Sequence, residues 1–410
     1  MRAEGGGQRD RVARDGMTPS PRSERHRRHP DGCLSEGLVG SVTVRAPQPA
    51  PVDARTGHHE DTEHEDMTDA PQPIEALSAM GIAAAMDALG EPRYRARQVV
   101  RWLYARGATS FDEMTDLPVA LRERLAATFI VRGAVIETSQ TSSDGTRKYL
   151  VRFGDGTAVE TVGLPEEGRL TVCFSTQAGC AMGCTFCATG RGGFSRDLLP
   201  GEIAGQVLLV GRDFGRRVTN AVAMGQGEPF ANYDAVLAAL RLLNSPDALG
   251  IGARHLTVST CGLLAQLRRF ATEPEQFTLA VSLHSAVQTT RDRLMPGVRG
   301  VGVGALRQSL IEYASATGRR PSLEYTLVAG VNDTDAELEA LVEFCRGLLV
   351  HVNLIPVNPG GGSFSRSSAD RARRFRDRLV ATGTEATIRV ERGADIDAAC
   401  GQLRQRVGDA

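Results

Sequence analysis

The chain has 410 residues, 41% of them hydrophobic and 24% charged, which is the size of one large globular domain with smaller additions. No run of about 18 apolar residues occurs to span a membrane, and the start Met1-Arg2-Ala3-Glu4 lacks the apolar segment of a secretory signal. A net charge of -1 excludes an indiscriminate polyanion binder, and eight scattered cysteines form no disulfide framework, so the expected compartment is the reducing cytoplasm.

Residues 1–66 form a tail rich in Arg, His, Pro, Gly and acidic residues without apolar periodicity, and disorder is expected there. Five of the eight histidines lie in it (His26, His29, His58, His59, His64), as does Cys33, and Met67 is an alternative start. Residues 67–130 read as a small helical accessory domain. Ile74, Leu77, Ile82, Met86 and Leu89 are followed by Tyr94, Val99, Trp102 and Leu103, and then by Leu117, Leu121 and Leu125 in one stripe. Arg93, Arg95, Arg97 and Arg101 fall on the outward side of its central helix, either as RNA phosphate contacts or as an ordinary solvated face.

Residues 131–169 switch to short alternating runs, 148–153 and 158–162, separated by Gly154-Asp155-Gly156, the signal of a β-hairpin extension. Glu160 lies within the second run, where an acid either faces water or has a task. Lys148 is the only lysine among 48 basic residues.

From residue 170 to 390, strands at 171–175, 221–224, 256–259, 278–283, 322–327 and 350–355 alternate with helices at 201–213, 233–243, 304–316, 336–345 and 368–381. The expected fold is α/β, a partial (β/α)6 barrel two pairs short of closure, with ligand groups at the carboxyl ends of its strands.

The chemistry-bearing residues fall at those ends. Directly after the first strand come Cys180, Cys184 and Cys187, a CxxxCxxC loop. Three thiolates around a four-iron cluster leave one iron free to bind a small chelating molecule, whereas a closed zinc knuckle needs a fourth ligand, for which Cys173 is the nearest candidate. Later strands end in Met224-Gly225-Gln226-Gly227-Glu228-Pro229, Ser259-Thr260-Cys261-Gly262, Ser282-Leu283-His284-Ser285 and Asn353 to Asn358. Polar groups on successive strand ends beside an open metal site favour a pocket over isolated core positions. Cys261 and Cys345 read as core residues, while Cys400 sits ten residues from the end in a C-terminal arm, 391–410, where a thiol is readily exposed.

These motifs resemble the radical S-adenosylmethionine (SAM) superfamily through the CxxxCxxC loop. Along residues 74–406 the chain is similar to the RlmN/Cfr family of RNA adenine methyltransferases, on the runs 175–180, 224–229, 282–284, 331–334, 353–356 and 395–403. The resemblance implies a [4Fe-4S] cluster on Cys180, Cys184 and Cys187. It implies two SAM molecules per turnover, with Gly227 and Glu228 at the methionine end and Ser259, Ser282, Leu283, His284 and Asn358 completing the cofactor pocket. Cys400 corresponds to the methyl-carrying cysteine, Cys173 to its resolving partner through a transient disulfide, and Glu160 to the proton acceptor.

The implied activity is methylation of adenine C2 in 23S rRNA and at position 37 of some tRNAs, by a ping-pong route through S-methylcysteine. The alternatives are Cfr-like methylation at C8 and a non-catalytic RNA-binding ribosome-maturation factor with a structural metal site. Flavodoxin or ferredoxin is the implied electron donor, the chain a monomer without membrane partners, and the helical and hairpin modules the readers of RNA shape. Gly360-Gly361-Gly362 departs from the family pattern, and greater mobility is expected there.

Overall fold

Apolar residues spaced three and four apart, with caps between them, build the first elements. The computed structural model describes residues 71–131, 133–358, 364–399 and 401–403; the tail 1–66, the Gly360–Gly362 loop and Cys400 lie outside them. Strand β1 (Gln72–Pro73) leads into α1 (Ala79–Ala88), whose Ser78 cap accepts the Gly81 N–H at 3.1 Å and whose inner face buries Ile82 and Met86. Helix α2 (Tyr94–Val100) continues as a π-helical turn over Arg101–Arg106 and stops at Gly107. Helix α3 (Val119–Thr128) then leads to β2 (Phe129–Ile130), which pairs in parallel with β1.

Two of the four arginines offered by the sequence as phosphate contacts or a solvated face also make surface ion pairs within the chain. Arg97 Nε reaches Asp247 Oδ2 at 2.6 Å and Arg101 Nη2 reaches Asp247 Oδ1 at 2.8 Å. Arg95 donates to Gln98 Oε1 and to the Asp116 carbonyl. The helical segment is thereby docked on the barrel, and one hydrophobic cluster runs from Ile74, Met86 and Leu125 into Val172, Leu240 and Leu323 without interruption.

A ten-stranded sheet carries the rest. It is entered by β3 (Val135–Thr141), β4 (Arg147–Arg152) and β5 (Ala158–Glu166), which are antiparallel, and then β6 (Arg169–Cys173). The two-stranded ribbon β7 (Gln177–Gly179) and β8 (Phe194–Asp197) brackets the Cys-rich loop and the short α4 (Ala188–Arg191). Then α5 (Pro200–Asp213), β9 (Asn220–Ala223), α6 (Tyr233–Asn244), β10 (Leu256–Thr260), α7 (Leu264–Ala271) and β11 (Thr278–Ser282) alternate. They are followed by α8 (Gln288–Leu294), α9 (Val303–Thr317), β12 (Ser322–Leu327), α10 (Asp335–Cys345), β13 (His351–Pro356), α11 (Ala369–Ala381) and β14 (Glu385–Ile388).

The strand order is β14-β13-β12-β11-β10-β9-β6-β5-β4-β3, and β6 with β9 to β14 are parallel, each joined to the next by helical crossovers. All six expected barrel strands are present in the expected sequence. Two features differ from expectation. A further parallel strand, β14, follows α11, its four residues too short and too polar to stand out in the chain. The hairpin is no separate module: β5 pairs with β6 across the tight Glu167-Gly168 turn, so β3 to β5 prolong the barrel sheet. Among the described residues β14 and β3 are the unpaired edges of an open sheet. No helix among them is long and apolar enough to cross a membrane.

Alternation along the strands decides where polarity goes. On β12, Leu323, Tyr325 and Leu327 are fully buried in the hydrophobic cluster, while Glu324 and Thr326 face the bore. Ser259 on β10 and Ser282 on β11 join them there. The bore is therefore a polar cleft with apolar walls.

Candidate active site

The Cys-rich loop is clamped from three sides. Cys180 N–H donates to the Gly193 carbonyl at 2.7 Å, Thr185 N–H to the Leu294 carbonyl at 2.9 Å, and Gly297 N–H to the Met182 carbonyl at 2.9 Å. A Cβ on Gly297 would stand 2.6 Å from both Met182 Cα and its carbonyl oxygen, so only glycine lets the segment after α8 approach this closely. From the other side Ala188 N–H donates to the Gly401 carbonyl at 2.8 Å.

The thiols of Cys180, Cys184 and Cys187 are free and half-buried. Burial pushes the Cys180 thiol up to about 11, against hydrogen bonds from the Met182 and Gly227 amides. Burial, then the neighbouring Cys187 and Cys180, push Cys184 up as well, with Arg291 pulling the other way. Among the described residues no three His, Cys, Asp or Glu side chains converge on one ion. A four-iron cluster gives each cysteine its own iron, so its thiolates stand apart around a cage. Three free, half-buried thiols on one loop, all lining the same cavity, are the donor set such a cluster takes. The orphaned guanidinium of Arg291 behind them, fully buried with Nε and Nη1 unpartnered, fits it as well.

The loop forms one wall of a cavity of about 170 Å3 in the bore. Facing the cysteines are Gly227, Glu228, Ser259, Ser282, His284 and Asn358, together with Glu324 and Thr326. Gly227 adopts φ 98, and a side chain there would collide with Gln177. Burial pushes the Glu228 carboxyl up, although Oε1 accepts from Phe230 N–H at 2.9 Å and Oε2 from Cys261 N–H at 2.7 Å. His284 holds φ 55, left-handed for a non-glycine residue, and its ring lies edge-on to Phe186 at 4.7 Å between centroids. Its Nδ1 accepts the Thr326 N–H at 3.0 Å, which leaves the proton on Nε2. Burial, then Arg291, bring its pKa down to about 3. Leu283 differs from its neighbours: its side chain is in the hydrophobic cluster, and no part of it lines the cavity.

A second cavity, of about 410 Å3, adjoins the first and shares Met224, Ile355, Asn358, Arg389 and Leu403 with it. Cys173, Val162, Thr171, Ala398 and Ala399 line it. Of the described residues near the end of the C-terminal arm, Ala398 and Ala399 line the second cavity, Gly401 the first and Leu403 both. The arm is moored at several points. Asp395 accepts from Ser142 Oγ at 2.6 Å and Ser143 N–H at 3.0 Å, and Gly393 N–H donates to Asp144 at 3.1 Å. Thr189 Oγ1 donates to the Leu403 carbonyl at 2.8 Å. The β3–β4 turn thus grips the arm, and although burial opposes it, the Thr146 and Gly393 hydrogen bonds bring Asp144 down to about 2.

Glu160 on β5 does not face water. Its buried side chain pairs with Lys148 Nζ at 3.3 Å, the two being diagonal neighbours across β4 and β5, and Lys148 also donates to the Asp397 carbonyl at 3.4 Å. Glu160 lines neither cavity. Sequence reasoning missed Arg291, it missed that Lys148 pairs with Glu160, and it missed Glu324, whose oxygens accept from Ser322 Oγ at 3.0 Å and Asn353 Nδ2 at 2.7 Å. The signals were present: a single lysine in the chain, and an acid inside an otherwise uncharged strand.

Residues 75–131 match the model of the ribosomal RNA large subunit methyltransferase N-terminal domain, and residues 174–345 that of the radical SAM superfamily. A crystal structure of a radical SAM methyltransferase from Sphaerobacter thermophilus superposes with a TM-score of 0.77 at 44% identity, covering 82% of this chain and 100% of that one. The chain belongs to the radical SAM superfamily and is a SAM-dependent enzyme. The probable dual-specificity RNA methyltransferase RlmN of Synechococcus elongatus is 47% identical over 324 residues, 77% of this chain and 89% of that protein. Its namesake from Symbiobacterium thermophilum is 44% identical over 340 residues, 82% and 92% respectively. Within the superfamily this chain belongs to the RlmN family, and membership implies use of a [4Fe-4S] cluster and SAM.

Proposed function

We propose that this protein methylates C2 of an adenine in 23S rRNA, and of adenine 37 in some tRNAs, by passing the methyl group through Cys400. The observation that carries the reading is the course of the arm. Ala399 lines the cavity that holds Cys173, Gly401 lines the cavity walled by Cys180, Cys184 and Cys187, and Cys400 stands between them in the chain.

Adenine C2 lies between two ring nitrogens and is electron-poor, so it does not attack a sulfonium methyl as a nucleophile. Cys180, Cys184 and Cys187 would hold the cluster, which would supply the single electron for reductive cleavage of SAM to methionine and a 5'-deoxyadenosyl radical. The chain's own residues do the rest. Glu228, Ser259, Ser282, His284 and Asn358 hold SAM in the bore, with the Nε2–H of His284 as a donor rather than an acid. The Cys400 sulfur takes a methyl group from one SAM; after hydrogen removal by the radical from a second, the methylene carbon adds to C2. Glu160, paired with Lys148, is assigned the C2 proton through the family resemblance, and the electron lost with it would return to the oxidised cluster. The Cys173 thiolate attacks the Cys400 sulfur, the bond from that sulfur to the methylene breaks, the methylene keeps the electron pair and takes a proton to leave as methyladenine, and the disulfide so formed is reopened by two electrons from a flavodoxin- or ferredoxin-type donor with two protons. The base enters unstacked, because a pocket at a barrel rim cannot reach a base edge inside a helix. This reading places the protein in the cytoplasm as a monomer.

The test is anaerobic cluster reconstitution followed by incubation with labelled SAM and ribosomal RNA. Cys400→Ala is expected to abolish methylation, and Cys173→Ala to trap protein covalently on RNA. Free turnover by Cys173→Ala removes that residue's role; label at C8 rather than C2 assigns the Cfr-like reaction; RNA binding without SAM cleavage leaves a non-catalytic factor.

A further inference from the structure

Helix α8 carries a charge that no acidic side chain pairs with among the described residues. Arg291 is fully buried, and of its nitrogens Nη2 donates to the Cys261 carbonyl at 2.6 Å while Nε and Nη1 have no partner. It makes no ion pair among the described residues, and Asp292 beside it is engaged by Gln288 at 2.7 Å. A buried guanidinium without an anion is among the costlier arrangements a core can hold, far costlier than an apolar side chain of the same size. Its surroundings point to where the missing anion belongs. Cys261, Leu294 and Met295 pack against Cys184, Met182 and Phe186, so Arg291 stands one layer behind the cysteine loop. The end of α8 also anchors that loop through the Leu294 carbonyl.

We infer that Arg291 is a positioning residue that neutralises the cluster on Cys180, Cys184 and Cys187 and raises its reduction potential. The inference rests on the radical SAM reading of that loop. Three thiolates around a four-iron cluster make an anionic assembly, and its reduction adds one electron, supplied by a one-electron donor protein, and one further negative charge. A fixed cation behind it favours the more negative state. Arg291 itself gains and loses nothing, because a guanidinium keeps its proton. Its reach is extended by one peptide: Cys261 C=O accepts from Arg291 while Cys261 N–H donates to Glu228, so the cation and the carboxylate of the cofactor cavity are braced against each other through a single residue.

The test uses the reconstituted full-length protein, iron content per chain, and a mediated redox titration followed by the electron-spin signal of the reduced cluster. Arg291→Met is expected to keep its iron and to show a reduced-to-oxidised ratio lowered by about tenfold at a given potential, a shift of about 59 mV for one electron. Arg291→Lys, which keeps the charge and loses the fork, should stay within about threefold of wild type. A fully loaded Arg291→Met protein within threefold of wild type overturns the inference. If Arg291→Met retains no iron, Arg291→Lys decides: normal loading and potential uphold the role of the charge, whereas loss in both variants, or an equal shift in both, assigns the residue to loop structure and overturns it. Wild-type protein that takes up zinc, or shows no reducible cluster, overturns the superfamily reading of the loop and this inference with it.

Discussion

Replacing His284 by Asn removes an imidazole whose neutrality the fold enforces. The ring is buried, accepts the Thr326 N–H at Nδ1, and has its pKa brought down to about 3 from an ordinary 6.5. In the unfolded chain the same group binds a proton near pH 6.5. Between those values unfolding takes up a proton, so the stability present above pH 6.5 is lost as pH falls toward 3. At pH 5 that loss spans about 1.5 pH units, or about 2 kcal/mol at 1.36 kcal/mol per unit. Asn is the suitable replacement, because its Oδ1 can accept the same amide and it tolerates the left-handed φ of 55. Urea unfolding of wild type and His284→Asn under anaerobic conditions at pH 7 and pH 5 measures the difference. Wild type should lose about 2 kcal/mol more than the variant on acidification. Parallel losses, within about 0.5 kcal/mol, would refute the claim that this imidazole is held neutral.

Gly297→Ala should push Met182 and the cysteine loop apart, destabilise the protein by about 1–3 kcal/mol and lower iron per chain on reconstitution, since the new Cβ meets backbone atoms at 2.6 Å. Lys148→Met leaves Glu160 buried without its cation and should cost about 3–5 kcal/mol in denaturant unfolding, with Lys148→Arg recovering most of it. Asp247→Ala releases Arg97 and Arg101, both substantially exposed, and should cost no more than about 1 kcal/mol, read as faster proteolysis of the helical segment. The side-chain hydrogen bond from Arg97, then that from Arg101, hold Asp247 below the usual carboxylate range, so its contribution is present above pH 3.8 and lost below it.

The chain by itself determined the six parallel barrel strands, the three-cysteine loop after the first of them, and the polar residues that end the later ones. These are local signals: a period of two or of 3.6 in apolar residues, and ligand spacings within one loop. What the sequence left open was settled by partners distant along the chain. Arg97 finds Asp247 across 150 positions, a pairing that neither residue's own neighbourhood in the sequence announces. Glu160 finds Lys148 only through the β4–β5 register, and β14 is a strand only because β13 offers it an edge. Arg291 is an unremarkable helix residue in the sequence; packing of α8 beneath the cysteine loop makes it a buried cation. Periodicity reports which way a side chain points within its own element, and the tertiary structure alone decides what meets it there.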